Sequence, residues 1–305
     1  MRQDIEYLMG KQLAEKSDQV ANKKRDKPLK EKSALSRELI GKIKHNKVET
    51  RKPVGRGTFR PEYIKIKDDG SAIFKSQKYE SPWVHGVEEG SYFRREVAAY
   101  EVSCALGYSV PETTVREVAG NLGSAQRQVL DMETLKFSDR LKAKSLPVSQ
   151  YMDLFLFDYI IFNHDRHPGN ALVKDDQLVA IDHGLSFGDA RKVFNMYPFA
   201  ELYQMADQKV SPEMKKMLTE LATSDEKMQE LFETLKKYLK FGEAIACIAR
   251  IESAYKKLKR NRWKASRDFI IEPKFNPSKK SISSDPENEV YHKYSTTDEQ
   301  LLKVG

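Results

Sequence analysis

Apolar and polar residues alternate along two stretches in the first half of the chain. From Tyr63 to Phe74 the alternation runs on either side of Asp68-Asp69-Gly70, which is typical of a β-hairpin with its turn at those residues. The stretch TTVREVAGNLGSAQRQVLDM alternates in the same way around a turn at Gly120–Gly123. The pattern therefore predicts an antiparallel sheet built from two hairpins.

A helix is predicted between the two hairpins. Apolar residues recur at helical spacing along SYFRREVAAYEVSCALG, on a face formed by Phe93, Val97, Tyr100 and Cys104. Gly107 follows directly and predicts the end of the helix, because glycine readily adopts the left-handed conformation found there. A sheet with one helix would form a small lobe.

The second half of the chain has a different pattern. Residues from Met152 to Phe162 are apolar nearly all round, as expected of a helix buried inside a lobe. A short hairpin is predicted next, with Ala171–Val173 and Leu178–Ile181 on either side of a turn. Amphipathic stretches after Ser211 and Ser224 then predict helices that complete a second, mainly helical lobe.

These elements predict an α+β protein with two lobes. The small lobe, a β-sheet plus a helix, is expected over residues 54–132, and the helical lobe over residues 133–270. Residues 1–53 are rich in lysine and are expected to form a basic arm without a core of its own, while residues 271–305 form a polar tail. We find no apolar run long enough to span a membrane and no secretion signal, and we expect a cytoplasmic protein.

The net charge of +8 is unevenly distributed along the chain. Residues 1–56 hold 16 basic against 8 acidic side chains, and residues 250–305 hold 13 against 8, so the middle of the chain is acidic. The basic arm is either a solvated tail or a segment that docks on an acidic surface, such as anionic lipid, nucleic acid or the acidic middle of the chain itself. Tyr7 is the only aromatic residue before Phe59, so sequence-specific binding of nucleic acid is not expected.

Polar residues that suggest catalysis cluster in the segment FNHDRHPGNALVKDDQLVAIDHG. Asp165 is followed five residues later by Asn170, and Asp182 comes directly after the predicted hairpin. Phosphoryl transfer uses this combination, because Mg²⁺ binds carboxylate and amide oxygens while a separate Asp accepts the proton of the attacking hydroxyl. The interval from Asp165 to Asn170 equals the D-x4-N interval of the protein-kinase catalytic loop.

The small lobe contains residues suited to binding the phosphates of a nucleotide. Lys75 ends a predicted strand, and Glu96 lies on the predicted helix about 20 residues later, an arrangement that anchors nucleotide phosphates in kinases. Three other glutamates, Glu88, Glu89 and Glu101, are alternatives for the partner of Lys75.

Two further segments are expected near the nucleotide. Gly55 and Gly57, in the sequence GRGT, could cover the phosphates with backbone N–H groups, or could simply form a hairpin turn. The adenine is expected close to Val129, Leu130 and Asp131, because the connection between the two lobes falls there.

The catalytic segment also resembles known families. DRHPGN followed by IDHG resembles the D-R-H-x-x-N and I-D-F-G motifs of phosphatidylinositol 3- and 4-kinases, and N-x-D-x-H-x-x-N is similar to the HipA-type serine kinases. Both are atypical branches of the kinase-like fold, and the resemblance is specific over about residues 155–187. The resemblance implies ATP and Mg²⁺ as cofactors, with Mn²⁺ as an alternative ion. It also implies that Asp165 is the catalytic Asp and that Asn170 and Asp182 are metal ligands. Lys75 would bind phosphate, and Glu96 would pair with Lys75.

The histidines of this segment have two interpretations. His164, His167 and His183 could support the loop by hydrogen bonds to the backbone, or His167 could assist catalysis at the phosphoryl oxygens or the proton. His183 stands where the related kinases have Phe, which argues against regulation by a moving Phe. The pair His164-x-x-His167 also suggests a metal-dependent hydrolase as a further alternative.

The sequence therefore predicts an ATP- and Mg²⁺-dependent phosphotransferase that acts on a hydroxyl group. We expect the hydroxyl of a protein Ser or Thr, because only Arg191 and Lys192 follow Asp182 as ligands for the phosphates of an inositol headgroup. A phosphoinositide acceptor is the alternative. A nucleotide-binding pseudokinase that serves as a scaffold is the second alternative.

Overall fold

The strands of the first half form one antiparallel sheet. The structure is a computed structural model, and it describes residues 29–55, 60–80, 87–131, 133–134, 146–163, 165–174, 177–188 and 208–265. The strands of this sheet are β1 (Val48–Pro53), β2 (Glu62–Ile66), β3 (Gly70–Ser76), β4 (Thr113–Val118) and β5 (Asn121–Arg127). Their order across the sheet is β1-β2-β3-β5-β4, and all neighbours are antiparallel. Both predicted hairpins, β2–β3 and β4–β5, are confirmed.

The turns and the core of this lobe follow from the residue types. Asp68 and Gly70 have φ angles of 61° and 81°, so the predicted turn uses two residues that tolerate the left-handed region. The alternating apolar residues of the strands meet on one face of the sheet. The resulting core consists of Ile43, Ile64, Ile66, Ala72, Phe74, Val118 and Ala125.

The structure differs from the predicted arm over the part that it describes. Residues Leu29–His45 form helix α1, whose Ile43 is 1% exposed in the core of the small lobe, and β1 pairs with β2. Arg116 of β4 donates to the backbone carbonyl oxygens of Ile43 and Asn46. The prediction missed β1 because this edge strand buries none of its side chains, so it lacks the alternation that reveals a strand.

Helix α2 (Tyr92–Leu106) is the helix predicted for the small lobe. It ends at Gly107, which has a φ of 65°, as predicted. Its first turn is stabilised by the buried carboxylate of Glu80, which accepts from the backbone N–H groups of Tyr92 at 3.0 Å and Phe93 at 2.9 Å. Cys104 is exposed, so the apolar face is shorter than predicted.

The second half of α2 also belongs to the core of the large lobe. Its apolar residues from Ala98 to Leu106 lie in the same hydrophobic cluster as the helices of that lobe, and α2 packs against three of them. The helix that carries Glu96 is therefore held by both lobes.

The large lobe is mainly helical, as predicted. Its elements are β6 (Glu133–Thr134), α3 (Val148–Ile161), β7 (Ala171–Lys174), β8 (Gln177–Ala180), α4 (Pro212–Ala222), α5 (Asp225–Lys236) and α6 (Phe241–Arg260). Helix α3 is buried over Tyr151–Ile161, and β6, β7 and β8 form a small antiparallel sheet beside it. Ser211 and Ser224 cap α4 and α5 through their hydroxyl groups.

The observed architecture confirms the predicted fold class, an α+β chain with an antiparallel sheet lobe and a helical lobe. In the ranges that the structure describes, no helix has the length and apolar character needed to cross a bilayer. The predicted polar tail, residues 271–305, and the arm before residue 29 lie outside the described residues.

Candidate active site

Lys75 brings the two lobes together at the centre of the site. Its ammonium nitrogen donates to Glu96 Oε1 on α2 and lies 2.8 Å from Oδ1 of Asp182, which follows β8. The side chain of Glu96 is only 3% exposed and that of Asp182 is 36% exposed, so the lysine connects a buried carboxylate to one that solvent can reach. The pairing predicted for Lys75 and Glu96 is present.

The charges of these three groups stabilise one another. Burial disfavours the charged form of Lys75, but Asp182 and Glu96 outweigh this cost and raise the pKa of Lys75 above its usual range. Burial likewise opposes ionisation of Glu96, yet Lys75 holds the pKa of Glu96 below its usual range. The lysine is therefore a cation at neutral pH, as the binding of phosphate oxygens requires.

The second oxygen of Glu96 fixes the segment that follows Asp182. Glu96 Oε2 accepts from the backbone N–H of His183 at 2.9 Å. One buried carboxylate thus contacts β3 through Lys75 and the segment after β8 through His183. Asp182 itself has a φ of 60°, a conformation that turns the chain sharply at the end of β8.

A buried ion pair supports the catalytic loop. Arg166 donates to both carboxylate oxygens of Asp158 on α3, at 2.8 and 3.0 Å, and to the carbonyl oxygen of Ile181 at 2.9 Å. Asn163 donates to Asp158 at 3.1 Å and accepts from the backbone N–H of Asp165, also at 3.1 Å. The network links the start of the loop to the residue before Asp182.

Sequence reasoning missed this support, although a signal was present. Asp158 is one of two carboxylates in a mainly apolar helix, and such a residue is rarely buried without a partner. Arg166, which directly follows the predicted catalytic Asp165, is a cation close enough in sequence to pair with Asp158.

Asn170 and His167 lie on the same loop but differ in burial. The side-chain nitrogen of Asn170 donates to the backbone oxygen of Asp165 at 2.8 Å, which leaves the amide oxygen as the atom that can bind a metal ion. His167 is exposed, and its Nδ1 accepts from the backbone N–H of Gly169 at 3.0 Å. His167 therefore does support the loop, and its Nε2 remains available for a second role.

The ring of His183 is shielded from solvent. It is 0% exposed, and in the described part of the chain neither ring nitrogen makes a hydrogen bond, although Nδ1 lies 3.7 Å from Glu96 Oε2. The ring makes an edge contact with Phe157, with centroids 5.5 Å apart. Burial lowers the pKa of His183, so the ring is neutral at pH 7.

Several predicted residues lie outside this cluster or outside the described residues. Gly55 follows β1 with a φ of 49°, in the connection to β2 where a loop over the phosphates was expected. Gly57 and His164 fall outside the described residues. The same is true of Arg191 and Lys192, on which the choice of acceptor depended.

The segment predicted to contact adenine borders a separate cavity. Val129 and Leu130 line a cavity of about 1140 Å³ whose other walls come from α1, α2, β8, α4 and α5. None of the four residues at the centre of the predicted site, namely Lys75, Glu96, Asp165 and Asp182, lines it. Asp131 is exposed and has a φ of 58°. Adenine binding at these residues stays a prediction.

The oxygen donors fit a hard divalent cation. Asp182 supplies a partly exposed carboxylate and Asn170 an amide oxygen, which suits Mg²⁺, because this ion keeps several waters and shares substrate phosphates. Among the described residues, no group of three or more His, Cys, Asp or Glu side chains is arranged to hold a metal ion. An ion held by Asp182 and Asn170 would therefore need further ligands, such as waters and the phosphates of a nucleotide.

Comparison with known proteins supports the kinase interpretation of this geometry. Residues 131–243 match the family model of phosphatidylinositol 3- and 4-kinases. The match covers the large lobe up to the first turn of α6 and includes Asp165, Asn170 and Asp182. It confirms the resemblance predicted from the catalytic segment. None of the curated proteins compared with the chain matches it.

Solved structures show the same fold over most of the chain. The Golgi casein kinase matches with a TM-score of 0.53 and 16% sequence identity, over 75% of each chain. The Golgi casein kinase with Mn/ADP bound matches with a TM-score of 0.52 and 15% sequence identity, over 75% of this chain and 76% of that chain. Hydra Fam20 with sugar matches with a TM-score of 0.51 and 14% sequence identity, over 72% of this chain and 88% of that chain. The chain thus has the protein-kinase-like fold, and the prediction of a kinase is supported.

Proposed function

We propose that the chain is an ATP- and Mg²⁺-dependent phosphotransferase that moves the γ-phosphate of ATP to a hydroxyl acceptor, with Mn²⁺ as an alternative ion. The observation that carries this proposal is the contact of Lys75 with both Glu96 and Asp182. It supports the proposal, because the cation that would bind phosphate oxygens lies 2.8 Å from the carboxylate that would bind the metal ion. A neighbour of the same fold binds Mn/ADP, which supports the choice of nucleotide and divalent ion.

Each residue has a role that its surroundings favour. Lys75 binds phosphate oxygens, and Glu96 keeps it in position. Asp182 and Asn170 bind the ion, which when present would neutralise charge on the β- and γ-phosphates. Asp165 orients the acceptor hydroxyl and takes its proton, as the oxygen–γ-phosphorus bond forms and the bond to the β–γ bridging oxygen breaks, releasing ADP.

Further residues contribute to binding in this proposal. His167 is exposed at the catalytic loop and would contact the transferred phosphoryl group through Nε2. The backbone around Gly55 and Gly57 would cover the phosphates, and Val129, Leu130 and Asp131 would lie near the adenine. The cytoplasmic location expected from the sequence stays a prediction.

For the acceptor we favour the hydroxyl of a protein Ser or Thr. The fold matches a casein kinase over three quarters of the chain. A phosphoinositide is the second candidate, because the family model that matches residues 131–243 is that of phosphatidylinositol kinases. Both acceptors need the same transfer chemistry, so the test below distinguishes them by where the label goes.

Transfer of labelled phosphate from ATP tests the proposal. The protein is incubated with γ-labelled ATP and Mg²⁺, alone, with casein and with phosphatidylinositol vesicles. Asp165→Asn is the control, and it should lower transfer about a thousandfold, the scale expected for a lost catalytic base. Label in the lipid alone would reject the protein acceptor. Nucleotide binding without any transfer would instead support the scaffold and reject the phosphotransferase.

A further inference from the structure

The neighbour of Glu96 on α2 is a fully buried arginine. Arg95 is 1% exposed and is the largest side chain buried to that degree among the described residues. Its Nε donates to the hydroxyl of Ser91 at 3.1 Å, and its terminal nitrogens donate to the backbone oxygen of Ser186 and to Glu243 Oε1, the latter at 2.5 Å. All three nitrogens of the guanidinium group are therefore in use.

Two of the three partners of Arg95, Ser186 and Glu243, come from the large lobe. Glu243 lies in the first turn of α6, where its other oxygen accepts from the backbone N–H of Lys240 at 3.0 Å. Ser186 lies four residues after Asp182, and its backbone N–H donates to the carbonyl oxygen of His183 at 3.1 Å. Arg95 thus joins α2 to a helix of the large lobe and to the segment that follows the metal ligand.

This position makes Arg95 relevant to Glu96. The two residues are consecutive on a helix, so a rotation or shift of α2 that releases Arg95 also moves Glu96 away from Lys75. Burying a guanidinium group is costly unless it is paired, which argues that one arrangement of α2 is strongly preferred. Only arginine has planar donors that reach three acceptors at once, so lysine cannot replace it.

We propose that Arg95 is a positioning residue for phosphoryl transfer, which holds α2 against the large lobe so that Glu96 stays on Lys75. The inference rests on the proposed function, because the Lys75–Glu96 pair matters only if the chain binds nucleotide phosphates. Arg95 does not touch the substrate. It acts through Glu96, and its partner Glu243 shares the same role.

The adjacent residue provides a matched control. Arg94 lies on the same helix but is exposed, with its guanidinium 5.5 Å from the ring centre of Phe93. Arg94→Lys keeps the charge and should change turnover less than twofold. Arg95→Lys also keeps the charge but loses the three-way contact. Glu243→Gln removes the partner charge without altering α2 itself.

Turnover and amide hydrogen exchange test the proposal together. Arg95→Lys and Glu243→Gln should each lower kcat at least about tenfold, and should speed exchange of the His183 amide, which is bonded to Glu96. When Arg95→Lys is added to the Glu96→Gln background, kcat should fall by less than a further twofold. Arg95 acts on the site through Glu96, and that residue is already changed. An equal loss in both backgrounds would mean a purely structural role and would overturn the proposal.

The two readouts separate failure of this inference from failure of the proposed function. If the wild type transfers no phosphate, the proposed function fails. Hydrogen exchange of the His183 amide then still measures whether Arg95 holds α2 against the large lobe. Unchanged exchange of the His183 amide in both Arg95→Lys and Glu243→Gln would reject the positioning role, whatever the turnover. Faster exchange in these variants and not in Arg94→Lys would support it.

Discussion

The ammonium group of Lys75 bridges Glu96, which is buried on α2, and Asp182, which lies 2.8 Å away at the end of β8. The bridge joins a strand of the small lobe to the helix and the loop that carry the other charged groups of the site. In related chemistry the lysine binds phosphate, so its contact with Asp182 marks where the nucleotide and the ion would meet. The two carboxylates raise the pKa of Lys75, and Lys75 in turn lowers the pKa of Glu96.

Lys75→Met should remove turnover and also lower the stability of the fold. The substitution leaves the carboxylate of Glu96 buried without a cation, and breaking a buried ion pair in this way costs about 3–5 kcal/mol. The partial exposure of Lys75 places the expected loss at the lower end of that range. Urea unfolding of both proteins measures it.

The double variant Lys75→Met, Glu96→Gln provides the control for this prediction. It removes both charges, so it should regain part of the lost unfolding free energy while remaining inactive. If the double variant is as unstable as Lys75→Met alone, the unpaired carboxylate is not the cause of the loss.

Asp182→Ala should weaken the stabilisation of the protein by Mg²⁺-ATP. A ligand that binds only the folded state raises the melting temperature, and loss of a metal ligand reduces that rise. Thermal unfolding with and without Mg²⁺-ATP measures the effect. An equal rise in wild type and variant would place the ion elsewhere.

The ion pair of Glu96 predicts how stability depends on acid pH. Because the pKa of Glu96 is lowered in the folded state, its contribution to stability is fully present above the usual Glu pKa of about 4.3. As the pH falls from there through the lower folded pKa, the contribution is lost. The difference in unfolding free energy between wild type and Glu96→Gln should therefore be constant from pH 7 to about 5 and shrink below about 4. A constant difference down to pH 3 would contradict the lowered pKa.

His183→Phe should stabilise the protein and leave turnover unchanged. In the described part of the chain the buried ring nitrogens have no hydrogen-bond partner, and an unsatisfied buried group costs about 1–3 kcal/mol. Phe removes that cost, keeps the edge contact with Phe157 and retains the backbone N–H bonded to Glu96. We expect a gain of about 1 kcal/mol, or a rise in Tm of about 2–4 °C. A large fall in turnover without loss of stability would assign the ring a role in the chemistry.

The sequence predicted those parts of the fold in which a periodic pattern or a turn residue determines the structure. The β2–β3 hairpin was predicted because its buried residues alternate, whereas β1 was missed because it is exposed from Glu49 to Pro53 and only half-buried at Val48. The pairing of Lys75 with Glu96 was predicted by spacing from the strand to the helix. Its contact with Asp182, 107 residues away in sequence, required the packing of two lobes.

Among the residues that support the site, too, pairs close in sequence could be predicted and pairs far apart in sequence could not. Arg95 and Glu243 are 148 residues apart, and no local pattern links a residue on α2 to the start of α6. Asp158 and Arg166 are eight residues apart and could have been paired from the sequence, because a buried carboxylate needs a cation. Long-range ion pairs therefore needed the structure, and the short-range pair did not.

Two truncations distinguish the contribution of the basic arm from that of helix α1 in the folded lobe. Deletion of residues 1–47 removes α1, including Ile43, and leaves Arg116 without the carbonyl oxygens of Ile43 and Asn46. Loss of a buried isoleucine alone costs about 2–5 kcal/mol, so this variant should unfold more easily and lose turnover. Deletion of residues 1–28 stops before α1 and should keep both stability and turnover.

The shorter deletion also tests whether the arm binds an acidic surface. It removes most of the cations between residues 23 and 32, and attraction between exposed charges is screened over about 8 Å at physiological ionic strength. We expect the deletion to lower binding to anionic vesicles at low salt, with little difference from the full chain at high salt. Equal binding of both proteins at low salt would show that the arm does not dock on lipid. Loss of turnover on deletion of residues 1–28 would mean instead that this part of the arm packs against the kinase-like body.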